Sequence, residues 1–281
     1  MKKFKVLIIG ILVLSLVIAS ILGGCQPAET LRLKVVTTTS LLTLIVQQVG
    51  GDMVDVVNII PPTQHPGDFD ATPGDMQKLA DADLFLSHGW PGETFVPGLI
   101  ASANNPDLTV VTVDIEGNWM IPSVQSEAVD RIVATLSEVD TENTAAYQEL
   151  AVKLKDKIVA KEAEIKAKLA NEDLASINVM GAGMLVGFIQ WTGLNITATY
   201  GAPDSLTPKV VKELVDKGRE EKVTLIIDNL QSGRDAGKAI AEELGAQRII
   251  LSSFPGGFDN TETWEKAIDR NIELILEAIA Q

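Results

Sequence analysis

Thr72-Pro73-Gly74-Asp75-Met76-Gln77-Lys78-Leu79-Ala80-Asp81 has an echo in the second half of the chain, Thr207-Pro208-Lys209-Val210-Val211-Lys212-Glu213-Leu214-Val215-Asp216. Each stretch opens with threonine as a helix N-cap and proline at the first helical position, where its missing N–H costs nothing. Apolar residues then follow three and four apart. The same order of elements surrounds both. Short β-branched runs at 33–39, 54–60, 84–87 and 109–114 alternate with helical patterns at 40–49, 73–81 and 93–103. In the second half, strands are expected at 177–180, 195–199, 223–228 and 248–252, with helices near 183–192, 208–217, 234–244 and 261–280. The Thr-Pro helix sits between the second and third strand each time. Strands that alternate with short helices make parallel βαβ units. The chain therefore reads as α/β, with two Rossmann-like lobes, each built on a parallel four-stranded sheet.

Between the halves, 145–170 has no Gly or Pro, and Leu150, Leu154, Ile158, Ile165 and Leu169 mark one face. At 1.5 Å per residue this helix spans roughly 39 Å, enough to run along both lobes and restrain a hinge between them. The expected divisions are an N-terminal lobe at 33–143, a linking helix at 144–172 and a C-terminal lobe at 173–281. Ahead of them, Lys2, Lys3 and Lys5 precede an apolar run from Val6 to Leu22, the layout of a secretory signal. Leu22-Gly23-Gly24-Cys25 resembles the bacterial lipobox, in which the leader is cut before a cysteine that carries diacylglycerol. Residues 1–24 are read as a lipoprotein signal peptide, Cys25 as the lipidated residue and 25–32 as a tether. The protein is expected outside the cytoplasm, held to the cell membrane by lipid.

Composition narrows the function classes. Cys25 is the only cysteine, so neither an internal disulfide nor a thiolate cluster is available. The 38 acidic against 23 basic residues give a net charge of −15, a surface that repels nucleic acid. Met180-Gly181-Ala182-Gly183-Met184-Leu185-Val186-Gly187 follows a strand, yet its glycine spacing departs from the dinucleotide fingerprint and no acid lies about 20 residues on to hold a ribose. No Ser-His pair sits at a recognisable nucleophile elbow. An enzyme is not expected, and neither is a catalytic cofactor.

Several segments together resemble one family, the zinc- and manganese-binding solute receptors of bacterial ABC transporters with the TroA-like fold. Val35-Val36-Thr37-Thr38-Thr39-Ser40 is similar to that family's first strand and turn. Gly50 to Val56 with Ile60-Pro61-Pro62 is similar to its second strand and exit loop, and Thr72-Pro73 through Leu84 is the most specific match. Gly89 and Glu93 fit an Asn-Gly-x-Gly-x-Glu loop in which His88 replaces the asparagine. Ser137 to Asp140, Asn143 and Tyr147 fit the approach to the long helix. The resemblance implies capture of a zinc or manganese ion in an interlobe cleft by a monomer, and hand-over to an ABC permease.

The family's metal ligands do not carry over. Its first histidine falls on Gly67, its second on Gly117 or Asn118, its third on Gly181, and its late aspartate near Ser252 or Ser253. The chain has only His65 and His88, against the four or so N, S or O donors of a zinc site. With Asp68 they form the candidate metal set. Thr38, Thr39, Trp90, Trp119, Gly181 and Asp228 complete the candidate ligand-binding set, at strand ends where α/β sites form. The alternative cargo is a larger organic or chelated-metal ligand, since missing imidazoles leave a roomier, less charged cleft that Trp90 and Trp119 would rim, while Trp191 is read as a packing residue. An adhesin-like or structural surface lipoprotein is the second alternative.

Overall fold

The computed structural model describes residues 32–280. The leader at 1–24, Cys25 and all but Arg32 of the tether lie outside the described residues. Two four-stranded sheets form. The first has β1 (Leu33–Thr37), β2 (Val54–Asn58), β3 (Leu84–Ser87) and β4 (Thr109–Thr112) in the order β2-β1-β3-β4. The second has β5 (Asn178–Ala182), β6 (Asn195–Tyr200), β7 (Leu225–Asn229) and β8 (Gln247–Leu251) in the order β6-β5-β7-β8. Every pairing within these sheets is parallel. The lobes therefore share one topology, as the repeated Thr-Pro helix predicts.

Apolar runs bury both faces of these sheets, as parallel strands require. Val35 and Val36 are neighbours in β1 yet belong to different cores. Val35 joins the large cluster with Leu84, Leu86 and Val46, while Val36 joins Phe85, Leu79 and Leu99. Helix α1 (Ser40–Gly50) covers one face of the first sheet, and α2 (Pro73–Ala80) with α3 (Val96–Ala103) covers the other. Thr72 caps α2 reciprocally: its hydroxyl accepts from the Asp75 N–H and the Asp75 carboxylate accepts from the Thr72 N–H. In the second lobe, Thr207 accepts from the Val210 N–H at the start of the corresponding helix.

One long helix joins the lobes, as expected, and a helix that the sequence pattern did not announce precedes it. Pro122–Val139 forms α4 and Thr144–Leu169 forms α5, the 26-residue linking helix. Helix α5 packs on α4 and α1 on one side, and on the C-terminal helix Trp264–Ile279 on the other. Leu154, Ile158, Ile165 and Leu169 carry a single apolar cluster from one lobe to the next. Lys161 reinforces the second contact through an ion pair of 2.7 Å to Asp269.

Thr72→Ala removes an N-cap that Ala cannot replace. It should lower stability by about 1 kcal/mol, a fall of about 2–4 °C in Tm for a body of this size, measured by thermal denaturation followed by circular dichroism.

Candidate functional site

In each lobe the strand order reverses beside the first strand, and ligand sites of open α/β sheets form at that point. In the N-terminal lobe the reversal lies between β1 and β3. Thr39, after β1, and His88, after β3, meet there: Thr39 Oγ1 lies 2.7 Å from His88 Nε2. His88 is fully buried. Glu93 folds the following loop back, its carboxylate accepting from the Gly89 N–H at 2.7 Å and the His88 N–H at 3.3 Å. Gly89 has φ +76°, and a Cβ there would meet Thr112 Cγ2 at 2.5 Å. The loop thus delivers Trp90 flat onto the imidazole, with centroids 3.6 Å apart and planes 7° apart. Trp119 stands edge-on to the same imidazole at 4.4 Å. Burial holds the His88 pKa well below 6.5, so the ring is neutral and serves as a floor for Trp90.

The C-terminal lobe contributes amides, hydroxyls and one more ring. Asn229, at the end of β7, accepts from the N–H groups of Gln231 (3.1 Å) and Ser232 (2.8 Å) and donates to Ser253 Oγ (2.7 Å). Gln231 donates to Ser252 Oγ (2.9 Å) and accepts from the Ser253 N–H (3.0 Å). The segment so fixed carries Phe254, which lies nearly parallel to Trp90, planes 13° apart and centroids at 6.2 Å. Hydrogen bonds tie the lobes around this contact: Ser40 to the Pro255 carbonyl (2.8 Å), Gln231 to the Pro62 carbonyl (2.8 Å) and Asn118 to the Met184 carbonyl (3.0 Å).

A cavity of about 330 Å³ lies between the lobes. From one lobe it is lined by Leu41, the His65-Pro66 and Trp90-Pro91-Gly92 turns and Gly117-Asn118-Trp119; from the other by Met184, Asn229, Gln231, Ser253 and Phe254. Among the described residues, no Asp, Glu, Lys or Arg lines it. The volume falls at the lower end of small-molecule pockets.

Among the candidate residues from the sequence, His65, Trp90 and Trp119 line the cavity. Thr39 and His88 stand behind Trp90 as its support, and Thr38 is fully buried near them. Gly181 is buried within β5, where a Cβ would meet Ile189 Cδ1 at 2.5 Å. Asp68 is exposed at the end of a short 3-10 turn, away from the lining. Asp228 faces the interior of its own lobe. Its carboxylate, fully buried, takes Arg248 (2.7 Å), the Tyr200 hydroxyl (2.8 Å) and the Gly237 N–H (2.7 Å). Burial, with Asp228 beside it, pushes the Tyr200 phenol well up, so it remains a donor. Trp191 stacks on Phe188 at 5.7 Å within the second lobe, a packing role.

The candidate metal set does not assemble. Among the described residues no group of three or more His, Cys, Asp or Glu could hold a metal ion. His65 Nδ1 accepts from the Gly67 N–H at 3.0 Å. A neutral imidazole accepting there carries its proton on Nε2, so a metal would have to displace this hydrogen bond to reach a lone pair. His88 is sealed between two tryptophans. The cavity residues that sequence reading passed over are chiefly Asn229, Gln231, Met184 and Phe254. Two lining segments, Gly117-Asn118 and Ser253, were marked only as places where metal ligands had been lost.

Comparison with known proteins agrees with this architecture. The family described as "ZnuA: Zinc-uptake complex component A periplasmic" matches residues 35–278. An iron-binding protein, YfeA of Yersinia pestis, is 25% identical over 95% of this chain and 93% of its own length. The manganese ABC transporter substrate-binding lipoprotein PsaA of Streptococcus mitis is 23% identical over the full length of both. Among solved structures, the solute-binding protein FpvC of Pseudomonas aeruginosa in complex with Mn2+ superposes with a TM-score of 0.76. It is 22% identical, over 89% of this chain and 98% of that one.

Arg248→Ala leaves the Asp228 carboxylate buried without its counter-charge and should cost about 3 kcal/mol in urea unfolding, while the folded fraction keeps its cleft. His88 gives a pH signature. Between the ordinary imidazole value of 6.5 and its lower folded value, only the unfolded chain takes up a proton. Stability is therefore complete above about pH 6.5 and falls as pH drops below it, by at most ~1.4 kcal/mol per unit. Denaturation midpoints between about pH 7.5 and 5 should fall less steeply in His88→Phe.

Proposed function

The chain belongs to the ZnuA family of zinc-uptake components, and from that premise we propose that it is the cargo receptor of an ABC permease, held outside the cytoplasm by lipid on Cys25. The family consists of solute-binding transport components, so the work of this chain is capture, enclosure and hand-over. The observation that carries the reading is the cleft between two facing switch points, closed by hydrogen bonds from one lobe to the other. Such weak, separable contacts suit a receptor that must open to release its cargo at a permease. ATP hydrolysis belongs to a separate subunit, and the receptor works as a monomer.

The cargo is metal-related and travels as a complex with an organic ligand. A bare zinc ion needs about four donors near 2.0–2.3 Å, whereas the described residues offer no such group. The cavity of about 330 Å³ has room for roughly ten waters' worth of volume, far beyond what a dehydrated ion fills. Aromatic walls with a few placed polar groups fit a small molecule.

Native mass spectrometry of the full chain purified from its own cells, with elemental analysis of the same sample, tests this reading. The expected result is one non-covalent adduct per chain, heavier than any single metal ion and lost on denaturation. A stoichiometric zinc or manganese ion with no organic partner contradicts it.

A further inference from the structure

Resting on the receptor reading above, we propose that the cleft selects an uncharged, flat ligand with hydrogen-bond acceptors at its rim, seated between Trp90 and Phe254. Flatness follows from the rings. His88 covers one face of Trp90 at 3.6 Å, and Phe254 sets a second ring nearly parallel to Trp90 in the same cavity, with centroids 6.2 Å apart. These two rings come from different lobes. A flat group inserted between them needs two contacts of about 3.5 Å, or about 7 Å between ring centres. Admitting it takes a small parting of the lobes, a motion compatible with a continuous 26-residue helix joining them.

The lack of charge follows from the lining. Among the described residues, the only ionisable side chain in it is His65, and no carboxylate, ammonium or guanidinium lies there to pair with a charged guest. Burying an unpaired charge is costly, and surface acids beyond about 8 Å are screened at physiological salt. An aromatic cage for an organic cation gathers several open ring faces around the charge, whereas His88 already covers one face of Trp90.

The preference for acceptors follows from which hydrogen bonds the protein already makes. Gln231 spends both amide hydrogens on Pro62 and Ser252, and its oxygen on the Ser253 N–H. The Asn229 oxygen is taken three times over. What remains is mainly donors: the Ser253 hydroxyl proton, the second amide hydrogens of Asn118 and Asn229, the indole N–H of Trp90 and the Nε2–H of His65. A ligand edged with carbonyl, ether or ring-nitrogen acceptors completes them. A neutral metal chelate with a conjugated ligand meets all three criteria.

Calorimetry on the full chain, freed of metal with EDTA that is then dialysed away, tests the assignment with four probes. Two are flat, uncharged acceptors, 1,10-phenanthroline and 8-hydroxyquinoline; the others are tetrapropylammonium and molybdate. At least one flat probe should bind one-to-one, and neither ion should bind or compete. Affinity should fall about tenfold, or about 1.4 kcal/mol, in Trp90→Leu and in Phe254→Leu. Both variants keep an apolar side chain, so the cleft folds, and Ser253→Ala gives a smaller loss by removing one donor. One-to-one binding of either ion overturns the proposal. So does failure of both flat probes at concentrations on the order of 1 mM, or unchanged affinity in both ring variants. If the flat probes fail while the purified chain carries an organic adduct, the ligand class is wrong and the receptor reading stands; a bare ion as the native cargo overturns both.

Discussion

A hydrogen bond of 2.7 Å between Thr39 and His88, placed where the first sheet reverses its strand order, sets the character of the cleft. It holds a buried, neutral imidazole upright at the end of β3. Trp90 lies flat on that imidazole and Trp119 braces its edge. Phe254 then meets Trp90 from the other lobe. A histidine that elsewhere would bind a proton or a metal here serves as a flat, uncharged support, because burial has removed the water that its charged form needs. The wall it supports is aromatic, and the chemistry of the cargo follows from that wall.

Asp228 illustrates the same economy in the second lobe. As an acid at a strand end it has the residue type and position of a metal ligand. Its oxygens are committed to Arg248, Tyr200 and the Gly237 N–H, so it stabilises the lobe and leaves the cleft to Asn229, one residue further on. With His65 turned onto the Gly67 N–H, neither of these two residues presents to the cleft the donor that its type suggests. Chain topology and family membership are retained while the coordination chemistry is not. This separation is expected, because function lives in sites that a fold carries, not in the fold itself.

Much of the architecture is legible from the chain alone. The paired Thr-Pro helix starts locate corresponding helices in both lobes, since an N-cap hydroxyl and a proline at the first helical position act locally, whatever the surroundings. The eight strands emerge from β-branched runs for the same reason. Helix Pro122–Val139 is harder to see. Its buried face includes Gln125 and Thr135 among the apolar residues, which blurs the period, and Pro122 at its start resembles loop punctuation. The site is legible only in part. Trp90 and Trp119 follow from their place beside strand ends. Phe254, Asn229 and Gln231 do not, because their role depends on contacts between segments far apart in sequence: Gln231 reaches Pro62 and Phe254 reaches Trp90. The histidines mislead for a related reason. Residue type announces a ligand, while the hydrogen bond that disables His65 is a matter of local geometry.

The central claim is that this member of a metal-receptor family encloses its cargo without coordinating a bare ion. Equilibrium dialysis of the metal-free full chain against radioactive zinc, alongside His65→Ala, tests it most directly. The account predicts no stoichiometric zinc binding below about millimolar concentration, and no difference between the two proteins. One zinc ion held tightly per chain and released by His65→Ala would contradict it.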